Sequence, residues 1–304
     1  MLREPESPGT VAPTRCSRVP LAGLHFDRLT EAQVVEHIVT AIRCGRGGWV
    51  STPNIDHCRL IRRDEAMRRL VANASLIVPD GMPLVWASRL RGSPLPERVT
   101  GASLIFTLTE AAARHGCSIY LLGGPPGVPQ RAGEELCRYY PDLKVAGTDA
   151  PPVGFDTDPQ AVAAVYDRLA AAAPGIVYVG LGFPKQERLI TSFAPSLPAT
   201  WFIGCGAAIP FAAKALPRAP RWMQHAGLEW TFRLISEPRR LFKRYLIQDL
   251  PFAARLLATS AAGRLRHGTG DARGMKDLED ANRRLQTEDD YGELSKITDT
   301  GWGL

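Results

Sequence analysis

No stretch of this chain reaches the roughly 18 consecutive apolar residues that a membrane-spanning helix requires. Residues 1–20 also lack the apolar core of a secretory signal. They carry Arg3, Glu4 and Glu6 among prolines, serines and threonines and read as a flexible leader. Cysteine is sparse: Cys16, Cys44, Cys58, Cys117, Cys137 and Cys205 are scattered with no C-x-x-C pair, and no Cys/His cluster has zinc-ligand spacing. Isolated thiols in a reducing compartment account for them, and no metal site is expected. Charge of one sign is in small excess, 37 Lys and Arg against 31 Asp and Glu. No internal repeat is present. What the chain does have is 304 residues with 45% hydrophobic content, which excludes disorder as the dominant state and suffices for a sizeable core.

Apolar periodicity organises that content. Thr30-Glu31-Ala32-Gln33 has the form of a capping box and opens a helix with Val34, Val35, Ile38, Val39 and Ile42 on one face. A strand over 49–52 stops at Pro53-Asn54, a charged helix runs through about Asn73, and a strand over 76–78 stops at Pro79-Asp80-Gly81. The rhythm repeats with a helix over 102–115, a strand over 118–122 broken at Gly123-Gly124, and a helix over 128–140. A strand near 144–146 follows, then a helix opened by Asp158-Pro159, a strand over 176–179, a helix from Pro184 and a strand over 200–203. Continuous apolar strands alternating with helices predict an α/β fold, a Rossmann-like, mostly parallel sheet covered by helices on both faces, over residues 21–217.

Such sheets bind ligands beyond the carboxyl ends of their strands, so the residues just after each strand are the candidates. They are Thr52-Pro53-Asn54, Asp80-Gly81, Gly123-Gly124, the segment from Gly180 to Glu187, and Gly204-Cys205-Gly206. Glycines before a helix start expose unpaired N–H groups to a phosphate, with Lys185 in the first turn; equally, such glycines only permit tight turns. Asp80 can act as a general base if desolvated in a cleft, or serve simply as a turn-forming residue. Asp156-Thr157-Asp158 has the form of a metal–nucleotide D-x-D motif, but Pro159 makes Asp158 a better N-cap. Gly204-Cys205-Gly206 lacks the third glycine of a dinucleotide fingerprint.

Taken in order, several motifs resemble the WecG/TagA/CpsF family of bacterial glycosyltransferases. They are Thr52-Pro53-Asn54, Val78-Pro79-Asp80-Gly81-Met82-Pro83, Glu97-Arg98-Val99-Thr100-Gly101, Leu121-Leu122-Gly123-Gly124-Pro125 and the run from Val179 to Glu187. Arg218-Ala219-Pro220-Arg221-Trp222 and Gly227-Leu228-Glu229-Trp230 follow, and the likeness continues to Leu246. It covers about residues 20–250. The resemblance implies an inverting enzyme without metal or cofactor that moves an N-acetylmannosamine-type sugar from a UDP-sugar to a polyprenyl-diphosphate-linked saccharide. It implies Asp80 as base; Thr52, Asn54, Gly124, Gly182, Lys185, Gln186 and Glu187 at the donor; and Arg98 facing a phosphate. Pro210 and Lys214 depart from it, standing where the family usually has an aspartate and a glycine.

Residues 218–245 carry seven basic residues (Arg218, Arg221, Arg233, Arg239, Arg240, Lys243, Arg244) against Glu229 and Glu237, with five aromatics interleaved. No nucleic-acid-reading signature accompanies them. With 246–262, an apolar stretch interrupted by Asp249, Pro251 and Arg255, they form an expected helical appendage over 218–262. Its cations and Trp/Tyr side chains suit a lipid diphosphate and the inner face of the cytoplasmic membrane, making the protein cytoplasmic and peripherally bound; a solvated helix pair is the plainer alternative. Residues 263–304 read as a polar, disordered tail. A non-catalytic nucleotide-sugar-binding component and a nucleotide-sugar oxidoreductase stay open as rival functions, as does assembly into a homo-oligomer.

Overall fold

The computed structural model describes residues 18–267; the leader before Arg18, the tail beyond His267 and the side chains of Arg221, His225, Leu265, Arg266 and His267 lie outside the described residues. The chain opens with a hairpin, β1 (Arg18–Leu21) and β2 (Leu24–Asp27). Then come α1 (Glu31–Arg43), β3 (Gly48–Ser51), α2 (Ile55–Arg63), α3 (Glu65–Ala72), β4 (Leu76–Ile77) and α4 (Met82–Leu90). Next are α5 (Gly101–Arg114), β5 (Ser118–Leu122), α6 (Val128–Tyr139), β6 (Lys144–Asp149), α7 (Pro159–Ala172) and β7 (Ile176–Val179). The domain closes with α8 (Lys185–Phe193), β8 (Trp201–Gly204) and α9 (Ala208–Ala212). The appendage contributes α10 (Arg221–His225), α11 (Glu229–Ser236), α12 (Pro238–Phe242), a π-helical turn over Lys243–Asp249, and α13 (Leu250–His267).

Six strands pair in the order β4-β3-β8-β7-β5-β6, every pair parallel. Alternating side chains send Ile176 and Tyr178 to one face, with Val34, Ile38, Leu104, Leu108, Leu136 and Ile209. Val177 and Val179 point to the other, with the hairpin's Phe26, Ile61, Leu84, Leu169, Ile190 and Leu256. Burial on both faces is why these strands read as unbroken apolar runs.

The expected capping box is present: Thr30 Oγ1 accepts from Gln33 N–H at 3.2 Å, and Gln33 Oε1 accepts from Thr30 N–H at 2.9 Å. Asp158 caps α7 through Gln160 N–H at 2.9 Å. Three features depart from the sequence reading. Residues 18–20, assigned to the leader, form β1, pinned where buried Asp27 accepts from Arg18 Nε and Ile77 N–H. The charged helix through Asn73 is two helices, because Asp64 breaks it and caps α3 by accepting from Met67 N–H. Residues 82–90 are also helical: Gly81, at φ 149°, turns the chain from strand into α4.

Candidate active site

Asp80 leaves β4 with its N–H donating to Pro53 O at 3.0 Å, which ties it to the Thr52–Asn54 loop after β3. Pro79 O accepts from Val99 N–H at 2.9 Å and draws the Glu97–Thr100 segment alongside. Arg98 is thereby brought to the strand ends. Burial pushes the Asp80 carboxyl up to about 6; Arg98 opposes the rise, Glu229 adds to it, and Arg233 and Arg218 oppose it more weakly. Such a carboxylate is ionised at neutral pH yet basic enough to take a proton from a hydroxyl.

The appendage folds over this point. Arg98 Nη1 donates to Glu229 Oε2 at 3.1 Å, and its Nη2 donates to Gln224 O at 3.2 Å. Arg218 donates to Ala102 O at 2.9 Å and sets its Nε 3.7 Å from Glu229 Oε1. Gly227, at φ 73°, lies so close to α4 that an added Cβ would sit 2.3 Å from Met82 Cγ.

A second group gathers at the ends of β3, β7 and β8. Thr52 Oγ1 donates to Gly204 O at 3.3 Å, and Asn54 Oδ1 caps α2 by accepting from His57 N–H at 3.0 Å. Gln186 accepts from Gly206 N–H at 3.2 Å and donates to Glu187 Oε1 at 2.9 Å. Glu187 is buried, its carboxyl pushed up to about 7 by desolvation, and its Oε2 has no hydrogen-bond partner among the described residues. Gly124 (φ 98°) and Gly182 (φ 79°) form the turns after β5 and β7. Lys185, expected beside a phosphate, pairs with Asp156 at 2.9 Å. The Asp156-Thr157-Asp158 segment is thus occupied by a lysine and a helix cap.

The predicted cations divide. Arg233 lies over the Phe211 ring at 5.7 Å, and Arg240 pairs with Glu237 at 2.7 Å. Arg244 is drawn into a cluster, its Nε 3.3 Å from Asp56 and 3.8 Å from Asp249, while Arg59 also binds both acids. Arg239 and Lys243 are exposed. That cluster escaped the sequence reading, since Asp56 and Asp249 lie far apart in the chain. So did the stacking of His57 on Phe183, with ring centroids 4.4 Å apart. Glu229 had a visible signal: it is one of two acids among seven cations.

Lys214 adopts φ 53°, the left-handed backbone that a glycine takes without strain. Its Nζ reaches Glu135 at 2.6 Å. Pro210 sits within α9, where its carbonyl accepts from Ala215 N–H at 2.9 Å.

The model of the Glycosyl transferase WecG/TagA/CpsF family matches residues 19–266. Three similar proteins carry the name N-acetylglucosaminyldiphosphoundecaprenol N-acetyl-beta-D-mannosaminyltransferase. That of Bacillus spizizenii strain W23 is 26% identical over 84% of this chain and 96% of its own. That of Bacillus subtilis strain 168 is 31% identical over 66% and 75%, and that of Staphylococcus aureus strain MW2 is 28% identical over 74% and 87%. With parallel-sheet architecture, strand-end motifs and the match over nearly all described residues in agreement, this chain belongs to the WecG/TagA/CpsF family of glycosyltransferases.

Proposed function

We propose that this enzyme transfers an N-acetylmannosamine-type sugar from a UDP-sugar to a polyprenyl-diphosphate-linked saccharide, in the synthesis of a cell-envelope polymer. Asp80 takes the proton from the acceptor hydroxyl as that oxygen bonds to C1 of the donor. The C1–O bond to UDP breaks with its electron pair going to the diphosphate, so a single displacement inverts the anomeric centre. Arg98 and Arg218 offset charge on the diphosphate, a task suited to the guanidinium fork. Thr52, Asn54, Gln186 and Glu187 hold the sugar nucleotide. Metal independence is part of the proposal, supported by the use of Asp156 for Lys185 and of Asp158 as a cap.

One observation carries the reading: Asp80, poised near neutrality by burial, stands at the sheet's carboxyl end in the field of Arg98, Arg218 and Arg233. Asp80→Asn should lower turnover with UDP-N-acetylmannosamine and a lipid-linked N-acetylglucosamine by about 10²–10⁴-fold while leaving UDP affinity within a few-fold. Full turnover in that variant would remove Asp80 as base.

A further inference from the structure

Glu229 sits at the start of α11 with its side chain between two guanidinium groups. Its Oε2 accepts from Arg98 Nη1 at 3.1 Å, and its Oε1 is 3.7 Å from Arg218 Nε, a buried donor with no hydrogen-bond partner among the described residues. All three side chains keep only 13–21% of their surface exposed. Arg233, one turn further along α11, acts on Asp80 in the same crevice. Arg98, Arg218 and Arg233 therefore face Asp80 and Glu229, with Glu31 also acting on Arg218. Guanidinium groups packed this closely and partly buried are costly without anions beside them, and the unpartnered Nε of Arg218 is the kind of donor that a phosphate oxygen satisfies.

We propose that Glu229 is a positioning residue that stands in for a substrate diphosphate: it holds Arg98 and Arg218 together in the free enzyme and yields them when the diphosphate enters. The glutamate stops the paired arginines from repelling one another or collapsing onto other acceptors. The same competition lowers the affinity of the site for anions. The exchange also alters the base. Asp80 faces Arg98 from the segment before α5, Arg218 from the segment before α10, and Glu229 and Arg233 from α11; removing the Glu229 charge lets the three cations draw protons off Asp80 more strongly.

The identity of the diphosphate rests on the proposed transfer reaction, but the test does not require turnover. Calorimetry on the full chain with inorganic pyrophosphate, UDP and farnesyl diphosphate should show Glu229→Gln binding pyrophosphate about ten-fold more tightly than the unaltered protein. A gain shared with UDP alone assigns the site to the donor, and one shared with farnesyl diphosphate alone to the acceptor. Glu229→Asp keeps the charge on a shorter stem and should gain less. It serves as the folded comparison if the glutamine variant is unstable. The acid limb of kcat/KM should move to lower pH in Glu229→Gln, a change that a purely structural residue would not cause. Unchanged or weaker binding of all three anions in a folded variant would overturn the stand-in role. Failure of the unaltered protein to transfer the sugar, with the affinity gain of Glu229→Gln intact, would instead count against the proposed reaction.

Discussion

At the scale of single residues, burial pushes Asp80 to about 6 and Glu187 to about 7, yet the two are placed for different work. Asp80 has guanidinium groups around it and loses its proton as pH rises through about 6. A base must be ionised, so kcat/KM should climb through about pH 6 and level above it, and Asp80→Asn should remove that limb. A flat profile from pH 5 to 8 in the unaltered enzyme would contradict the assignment. Glu187 has Gln186 as its side-chain partner, and burial favours its neutral form at a strand end where a hydroxyl or amide of the donor could meet its open oxygen. Lys214 is a different case, a long side chain on a left-handed backbone. Its ion pair with Glu135 is exposed on the lysine side and contributes little, while the strain costs about 1 kcal/mol. Lys214→Gly should therefore leave stability within about 1 kcal/mol of the parent, whereas Lys214→Val should destabilise by about 1–2 kcal/mol in thermal unfolding, because a branched Cβ fits that conformation poorly.

At the scale of elements, the inner strands of the sheet were legible because each is short, largely apolar and punctuated by Gly, Pro or Asp, whereas the edge strand β6, partly exposed and polar at both ends, runs beyond the expected 144–146 to Asp149. Strand β7 matches the predicted 176–179 residue for residue. The hairpin was less so: Arg18–Leu21 alternates exposed and buried positions beside a proline-rich leader, and its partner strand becomes evident only once Asp27 is seen to bind Ile77. The π-helical turn over Lys243–Asp249 has no local signature. It places Arg244 and Asp249 against Asp56 and Arg59 of α2, so the loop carrying Asn54 and the appendage share one ionic cluster. Gly227 is the matching contact on the other side. Gly227→Ala would combine a positive φ with a Cβ 2.3 Å from Met82 Cγ, and should destabilise the protein by about 1–3 kcal/mol. Hydrogen exchange over 221–249 should quicken in that variant, and turnover should fall as Arg98 loses Glu229. Parent-like exchange would mean that α4 yields to the methyl group.

At the scale of the whole molecule, no helix among the described residues is long and apolar enough to cross a membrane. The exposed large apolar side chains nonetheless concentrate in the appendage: Trp222, Trp230, Ile235, Phe242, Ile247 and Leu250. Ile235 is 78% exposed, more than a residue with a folding role would be. Arg239, Arg240 and Lys243 are exposed on the same appendage, whereas Arg218 and Arg244 are held by acids inside the fold. This pairing of apolar and cationic groups fits the proposed use of a lipid-linked substrate at a membrane interface. Changing Arg239, Arg240 and Lys243 together to Ala should lower flotation with anionic liposomes by about ten-fold or more, at about 1 kcal/mol per cation, without altering the fold. Equal flotation would sink the membrane role of these cations. Arg244 belongs outside that set, because with Arg59 it neutralises Asp56 and Asp249 inside the fold.

The chain by itself determined its α/β class, most of its strands and caps, and the place of Asp80, since these depend on neighbours a few residues apart and on burial that shows as composition. Its family was legible as well, because the strand-end motifs occur in order along the sequence. Tertiary structure alone decided which charges meet. Arg98 and Glu229 are separated by 131 positions, and Arg59 and Asp249 by 190, so no local pattern could pair them. The net +6 hides the same distinction. Some of the appendage's cations are spent on acids brought in by the fold, others face outward, and that division is set by packing at long range rather than by sequence.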